Sequence, residues 1–154
     1  IMDFMKEAIT ESAKNLKTGH GGHFGAVVVK DGKIIGRGHN EVIKNNDPTC
    51  HGEMQAIRDA CRTLGTYDLS GCELYTSAQP CPMCLSAIIW ANIKTVYYGN
   101  TAKDTAAIGF RDDFIYHFIE KGCKNTDVLS LSQMDRDEAN KIFAAYKEKN
   151  MTIY

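Results

Sequence analysis

Apolar residues recur along the chain at two different spacings, which predict alternating helices and strands. Spacings of three and four residues predict amphipathic helices over residues 3–17, from about residue 50 to Leu64, and over about 135–149. In the first helix the predicted buried stripe is Met5, Ile9, Ala13 and Leu16. In the last it is Ala139, Ile142, Phe143 and Tyr146.

Short β-rich runs between these helices predict strands. Residues 24–30 and 33–38 flank Asp31-Gly32, a dipeptide typical of a hairpin turn. Further strands are predicted over 73–77 and 95–99, with a weak one over 127–131, a loop over 100–113 and a short helix over 114–120. A hairpin followed by alternating helices and strands favours an α/β fold with a mixed sheet covered on both faces.

The segment that follows the strand 73–77 predicts a helix that is apolar on nearly every side. It continues Leu85-Ser86-Ala87-Ile88-Ile89-Trp90-Ala91, and a helix of this kind is expected to be buried. Trp90 is therefore at least as consistent with a core position as with a ligand contact.

Composition narrows the class of protein. The chain has 154 residues, 44% of them hydrophobic and 24% charged, which predicts one globular domain over 1–154. A formal net charge of −1 gives no bulk attraction to nucleic acid or membrane, and no apolar run of about 18 residues predicts a membrane span. The six cysteines do not form a dense disulfide framework, so a reducing cytoplasmic location is predicted.

Two motifs carry candidate metal chemistry. Pro80-Cys81-Pro82-Met83-Cys84 places two thiols three residues apart on one face of a helix N-terminus, where the helix dipole favours thiolates. Upstream, His51 begins the predicted second helix. One imidazole and two thiolates are ligands that zinc prefers, and three protein ligands leave a position for water. The sequence therefore predicts a catalytic zinc site.

Glu53 gives this site a candidate proton carrier. It lies two residues after His51, so it projects from the same first turn and can take a proton from a zinc-activated water and return it to a leaving amine. The plainer interpretation is a first-turn glutamate that the helix dipole favours. His20, His39 and His117 show no ligand spacing and receive no role.

The combination H-x-E and P-C-x-x-C is the signature of zinc nucleobase deaminases. The chain resembles the cytidine deaminase-like superfamily over nearly its full length, and within it the bacterial guanine deaminases. The matching segments include Gly21-Gly22-x-Phe24-Gly25-Ala26-Val27, Asn40, Asn46-Asp47-Pro48-Thr49, Leu74-Tyr75-Thr76-Ser77, Trp90-Ala91, Gly109-Phe110-x-Asp112-x-Phe114-Ile115-Tyr116 and Tyr154. It departs from the family pattern at His23, Gly52 and Gln79.

The resemblance implies a three-layer α/β/α fold with a central mixed five-stranded sheet and one zinc ion per subunit. It also implies hydrolytic deamination of guanine to xanthine and ammonia. The family further implies a homodimer in which the C-terminal segment is exchanged, so that Tyr154 caps the site of the partner copy.

Donor and acceptor groups suggest how a purine would be recognised. Asp112, counted with Glu53 among the catalytic residues, can accept from the N1–H and amine edge of guanine, and the Asn40 amide can meet its acceptor edge. Phe24 and Trp90 are candidates for apolar walls around the base. The alternatives are that Asn40 is a turn residue and Asp112 a solvated loop charge.

Other functions remain open from the sequence alone. A tRNA adenosine deaminase shares both motifs, although RNA-binding proteins usually carry a basic face. A cytosine or cytidine-type deaminase is a second alternative. The third is a structural zinc module, for which Cys50 is the one neighbouring candidate for a fourth ligand.

Overall fold

The computed structural model describes residues 2–154 and contains a mixed sheet of four strands in the order β2-β1-β3-β4. β1 pairs antiparallel with β2 and β3, and β3 pairs parallel with β4. The strands are β1 (Gly25–Lys30), β2 (Lys33–His39), β3 (Glu73–Ala78) and β4 (Thr95–Asn100). The helices are α1 (Phe4–Ala13), α2 (Asn15–Thr18), α3 (Val42–Asn45), α4 (Gly52–Leu64), α5 (Pro82–Trp90), α6 (Ala102–Ala107), α7 (Asp113–Glu120) and α8 (Arg136–Glu148).

The predicted hairpin forms through a tight two-residue turn. Asp31 and Gly32 have φ of 50° and 76°, and Lys30 pairs with Lys33 across the turn. Positive φ at both central residues defines the turn whose twist matches that of antiparallel strands. The hairpin prediction is confirmed.

The two faces of β1 bury different sets of side chains. Val27 and Val29 pack with Ala8 of α1, whereas Ala26 and Val28 belong to the larger core. That core takes its other members from α4, β3, α5 and the segments beside these elements: Ala56, Ile57, Ala60, Leu69, Cys72, Leu74, Ile88, Ala91 and Ile93. Since successive strand residues face opposite sides, β1 is covered on both faces and the fold has three layers.

Helix α4 lies unusually close to β2 because two strand positions are glycines. A Cβ atom at Gly36 would overlap the backbone of Ala56, and one at Gly38 would overlap the backbone of Gly52. The absence of side chains there lets the first turn of α4 approach the sheet. This close contact fixes the start of the helix that carries His51 and Glu53.

The chain forms two compact units, one ending at Tyr116 and the other spanning His117–Tyr154. The predicted fifth strand, 127–131, is wrong for the described residues, so the sheet has four strands rather than five. The physical reason is local: Asn125 accepts backbone bonds from Val128 and Leu129, while its side chain accepts from Asp127 N. These contacts hold the segment in turns that compete with an extended strand.

Several predicted buried stripes are exposed in the single chain. Helix α8 forms within the predicted bounds, yet Ile142 is 70% and Phe143 is 75% exposed. Helix α5 is buried through Cys84 and Ile88 but not on its other side. Its exposed apolar residues are Leu85, Ile89 and Trp90. The hydrophobic pattern predicted these helices correctly. It did not predict which surface covers their apolar faces.

Two smaller predictions also need correction. The first helix breaks at Lys14, and its buried positions are Ala8 and Glu11, whereas the predicted Ile9 and Leu16 are exposed. The predicted loop 100–113 contains α6, which begins with a reciprocal capping box between Thr101 and Asp104. No helix within residues 2–154 is long and apolar enough to cross a membrane.

Candidate zinc centre and active site

The three predicted metal ligands stand at two helix N-termini. His51 is the N-cap of α4, and Cys81 is the N-cap of α5, with Pro82 at the first helical position. Proline is favoured there because its missing N–H would have no partner in the helix. The next turn of α5 brings Cys84 back beneath Cys81, and the Cys84 N–H lies 3.5 Å from Cys81 Sγ.

The ligand atoms have the spacing that a tetrahedral zinc ion requires. His51 Nδ1 lies 3.6 Å from Cys81 Sγ and 3.5 Å from Cys84 Sγ. Zn–S bonds of about 2.3 Å and Zn–N bonds of about 2.0 Å at tetrahedral angles put sulfur and nitrogen about 3.5 Å apart. The residues present therefore fit zinc, and three protein ligands leave one position open.

The ionisation of the ligands suits cation binding. A hydrogen bond with Cys84 lowers the pKa of the Cys81 thiol to about 4, and the same contact raises the pKa of Cys84. The hydrogen bond to Cys81 also raises the pKa of His51. The lowered pKa favours the thiolate form of Cys81, which is the form that binds a metal, and a bound cation would displace the remaining proton from the pair.

Glu53 is buried in the first turn of α4, with 6% of its surface exposed. Burial raises the pKa of this carboxyl group from 4.5 to about 7, because the charged form has lost its hydration. Cys81 adds to this shift, while His51 opposes it. A carboxyl group with a pKa near the working pH can both accept and release a proton, which is the property of a general acid–base catalyst.

A cavity of about 590 Å³ opens beside these residues, within the range of small-molecule sites. Three of the predicted substrate residues, Phe24, Asn40 and Asp112, lie in its wall together with His51, Glu53 and Cys81. Phe110 is in the wall as well, and its ring meets that of Phe24 edge to face with centroids 5.2 Å apart. The two rings give the cavity an aromatic side.

Asn40 is held in place by three hydrogen bonds. Its N–H donates to Phe24 O at 2.9 Å, and its carbonyl accepts from Asn15 Nδ2 at 2.8 Å. The side-chain Oδ1 accepts from Val42 N at 3.0 Å. The acceptor end of the amide is therefore used by the protein, which leaves the N–H donors of Nδ2 to a ligand.

Asp112 lies near the Cys81 thiolate. Burial raises its pKa, and the nearby Cys81 raises it further. The neighbouring Asp113 is different, because a hydrogen bond from Arg111 lowers its pKa and it is absent from the cavity wall. The two adjacent carboxylates thus have distinct environments.

The other two predicted substrate residues, Trp90 and Tyr154, are largely exposed. Trp90 lies at the end of α5 opposite Cys81, is 69% exposed and does not belong to the cavity wall. Tyr154 lies in the second unit and is 80% exposed in the single chain. Their roles in substrate binding remain predictions.

The structure also shows residues that the sequence did not indicate as parts of a site. Tyr116 Oη donates to Pro80 O at 2.8 Å, which braces the turn immediately before Cys81. Thr105 lines the cavity, and its buried hydroxyl has no protein hydrogen-bond partner. Both lie in the segment after β4, where no periodicity or spacing in the sequence points toward a site.

Cys50 is directed away from the metal ligands. Its sulfur accepts long contacts from Asn45 Nδ2 at 3.6 Å and Arg58 Nη1 at 3.7 Å. Among the described residues, the group around the zinc position consists of His51, Cys81 and Cys84. A fourth protein ligand of the kind that closes a structural zinc site is not supplied by Cys50.

Residues 1–100 match the family described as the cytidine and deoxycytidylate deaminase zinc-binding region. The chain therefore belongs to this family of zinc-binding deaminases. Within it, the chain is 48% identical over 148 residues to the guanine deaminase of Bacillus subtilis (strain 168), which covers 90% of this chain and 95% of the relative. The resemblance to bacterial guanine deaminases is confirmed.

Two further comparisons show how far the likeness extends. A crystal structure of a guanine deaminase from Bacillus subtilis superposes with a TM-score of 0.89 at 44% identity, covering 99% of this chain and 98% of that one. The tRNA-specific adenosine deaminase of Aquifex aeolicus (strain VF5) is 43% identical over 95 residues, or 62% of each chain. The first likeness takes in the whole chain, whereas the second takes in less than two thirds of it.

Proposed function

We propose that this protein catalyses the hydrolytic deamination of guanine to xanthine and ammonia. The observation that carries the proposal is a buried carboxyl group, Glu53, beside an open zinc-type ligand set in a cavity with both a donor and an acceptor for a purine. The likeness to guanine deaminases over nearly the full chain supports the choice of base.

The residues divide the chemistry between them. His51, Cys81 and Cys84 would hold a zinc ion, which would lower the pKa of a water molecule to roughly 7. As the water oxygen adds to C2 of guanine, Glu53 would take one proton from the water and pass it to N3. Glu53 would then take the proton of the new C2 hydroxyl and pass it to the exocyclic nitrogen, so that ammonia departs and the C2 carbonyl of xanthine remains.

The cavity wall explains how guanine would be oriented. The Asp112 carboxylate accepts from the N1–H edge, and the Nδ2 donors of Asn40 meet the O6 and N7 acceptors. Phe24 and Phe110 pack against the ring system. A base that lacks the matching donor leaves Asp112 without a partner, which such sites penalise strongly.

Adenosine deamination in tRNA is a second candidate, because the tRNA-specific adenosine deaminase of Aquifex aeolicus is 43% identical to this chain over 95 residues. The formal net charge of −1 argues against it, since RNA-binding surfaces are usually basic. Deamination of cytosine or cytidine has no comparable support from the cavity residues.

A substrate panel separates these functions. The zinc-loaded protein is incubated with guanine, guanosine, adenine, adenosine, cytosine, cytidine and a tRNA anticodon stem-loop that contains adenosine, and ammonia release is followed. Guanine is expected to be converted at least 100-fold faster than every other compound, because a site with matched polar groups discriminates by at least that factor. Inosine in the stem-loop with guanine untouched would refute the proposal in favour of the tRNA activity.

We also propose that the protein is a homodimer whose C-terminal segment is exchanged between copies. Leu85, Ile89 and Trp90 form an exposed apolar surface on α5, and the neighbouring edge strand β4 is largely exposed. Ile142 and Phe143 are exposed apolar residues on α8. Large exposed apolar faces support association with a second copy, in which Tyr154 would reach the partner site.

One catalytic zinc ion per subunit and a cytoplasmic location complete the proposal. All six cysteines are free thiols, as a reducing compartment would keep them.

A further inference from the structure

A second group of metal-binding side chains lies behind the cavity. His20 follows α2, His39 ends β2 and Glu41 precedes α3, and the nearest ligand atoms of the three all lie within 4.8 Å of one another. His20 Nδ1 is 3.1 Å from His39 Nε2, and the two rings are stacked with centroids 5.4 Å apart. Sequence spacing assigned neither histidine a role because His20 lies 19 residues before His39.

The environment of His39 resembles that of a metal-ligating imidazole. Its other ring nitrogen, Nδ1, faces Glu11 Oε2 at 3.7 Å, and the Glu11 side chain is 2% exposed. Metal-bound histidines usually present their second nitrogen to a carboxylate. The 3.7 Å separation from Glu11 is longer than a hydrogen bond but puts the carboxylate on that side of the His39 ring. Burial also lowers the pKa of His39, so the neutral imidazole that a metal requires is favoured.

Charged neighbours permit a cation here. The Glu11 carboxylate pairs with Lys14 Nζ at 2.9 Å and with Arg37 Nη1 at 3.5 Å. Glu41 Oε2 pairs with Lys44 Nζ at 3.2 Å, and the Lys44 side chain is 52% exposed. An exposed lysine can move into solvent at little cost, and a divalent ion would take its place beside Glu41.

We propose that His20, His39 and Glu41 form a second divalent transition-metal site, distinct from the catalytic zinc and made of nitrogen and oxygen ligands only. Two imidazoles and one carboxylate suit Zn²⁺ and the neighbouring first-row ions, and they leave further positions for water. A hydrogen-bonded histidine pair is the competing explanation of the 3.1 Å contact.

The position of this second site links it to the substrate cavity. His39 and Glu41 flank Asn40, and the carbonyl oxygen of His20 accepts from Ile43 N at 2.9 Å. A cation would therefore cross-link the loop before β1 to both sides of Asn40. Its role is structural support of the cavity wall, and its detection does not depend on the identity of the substrate.

Metal stoichiometry tests the proposal. Tag-free protein is dialysed against Zn²⁺ in several-fold excess, and bound metal is measured by elemental analysis. Two equivalents are expected in the wild type, and one in His20→Asn and in Glu41→Gln. The matched control His117→Asn alters an exposed histidine that also faces a glutamate, Glu120 at 3.9 Å, and should keep two equivalents.

Substitution with Co²⁺ separates the two sites. The catalytic site gives thiolate-to-cobalt charge-transfer absorption, whereas a site without sulfur binds a second equivalent with no increase in that band. Retention of this band in His20→Asn and Glu41→Gln shows that these variants are folded. One equivalent in the wild type, or two equivalents in both variants, would overturn the proposal.

Discussion

Replacement of Glu53 by glutamine tests both the proposed chemistry and the electrostatics of the site. Glutamine has nearly the same size but cannot accept and release the proton. Because His51, Cys81 and Cys84 remain, the variant is expected to bind zinc with unchanged stoichiometry. Loss of a general acid–base group lowers kcat by about 10²–10⁴, which corresponds to about 3–5 kcal/mol of transition-state stabilisation.

The same substitution has the opposite expected effect on stability of the metal-free protein. Burial raises the folded-state pKa of Glu53 from 4.5 to about 7. At low pH the carboxyl group is neutral in both states and costs nothing. As the pH rises through this range, the unfolded chain loses its proton first, so the wild type loses up to about 3 kcal/mol of stability that the glutamine variant retains.

Two measurements on the same samples test the catalytic role of Glu53 and the effect of its burial on stability. Steady-state turnover with guanine, together with bound zinc, reports the chemistry, and urea unfolding of the metal-free forms at pH 4.5 and pH 8 reports the electrostatics. Glu120→Gln is the matched control, since this side chain is 72% exposed, and it should change neither quantity. Activity in Glu53→Gln within a few-fold of wild type would refute the catalytic role of Glu53. A difference in the free energy of unfolding between variant and wild type that is the same at pH 4.5 and at pH 8 would refute the effect of burial on the carboxyl group.

Three further predictions follow from the cavity and its supports. Asp112→Asn is expected to lower kcat/KM for guanine by about 10–100-fold, the loss of a hydrogen bond to a charged group, whereas the adjacent Asp113→Asn should stay within a few-fold of wild type; equal effects in steady-state assays would contradict the assignment. Tyr116→Phe removes the hydrogen bond to Pro80 O and should lower the free energy of unfolding by about 1 kcal/mol in denaturant titrations, a figure that an unchanged midpoint would disprove. Chelation should remove activity and one equivalent of zinc together, and added Zn²⁺ should restore both; full activity in the zinc-free protein would count against the site.

The metal site could be predicted from sequence because its constraints are local. Proline after Cys81 marks a helix start, three residues separate the two thiols, and His51 and Glu53 share one helical turn. Each of these relations spans less than two helical turns, so spacing alone determines the geometry. The expectation that the N-termini of the two helices meet rested on the resemblance to the family and on the position of each helix directly after a loop or a strand.

The parts that sequence reasoning missed depend on long-range placement. His20 and His39 are 19 residues apart and meet because the turn after α2 packs beside the end of β2. Thr105 reaches the cavity from α6, in a segment that has no strong periodicity and lies outside the stretches that match the family. No local pattern encodes such contacts.

The errors in the fold have a related cause. Periodicity places apolar residues on one face of a helix, but it does not specify the surface that covers that face. In α5 and α8 the apolar residues Ile89 and Phe143 are exposed in the single chain. The missing fifth strand reflects turn formation at Asn125, whose carbonyl accepts from Val128 N and Leu129 N and which outweighs the weak strand pattern of 127–131.

The conversion of guanine by zinc-loaded protein tests the central claim most directly. Xanthine is followed by its absorbance and ammonia by an independent assay in the same reaction. We expect one xanthine and one ammonia to appear for each molecule of guanine consumed. Guanine left unchanged by protein that carries its full catalytic zinc would contradict it.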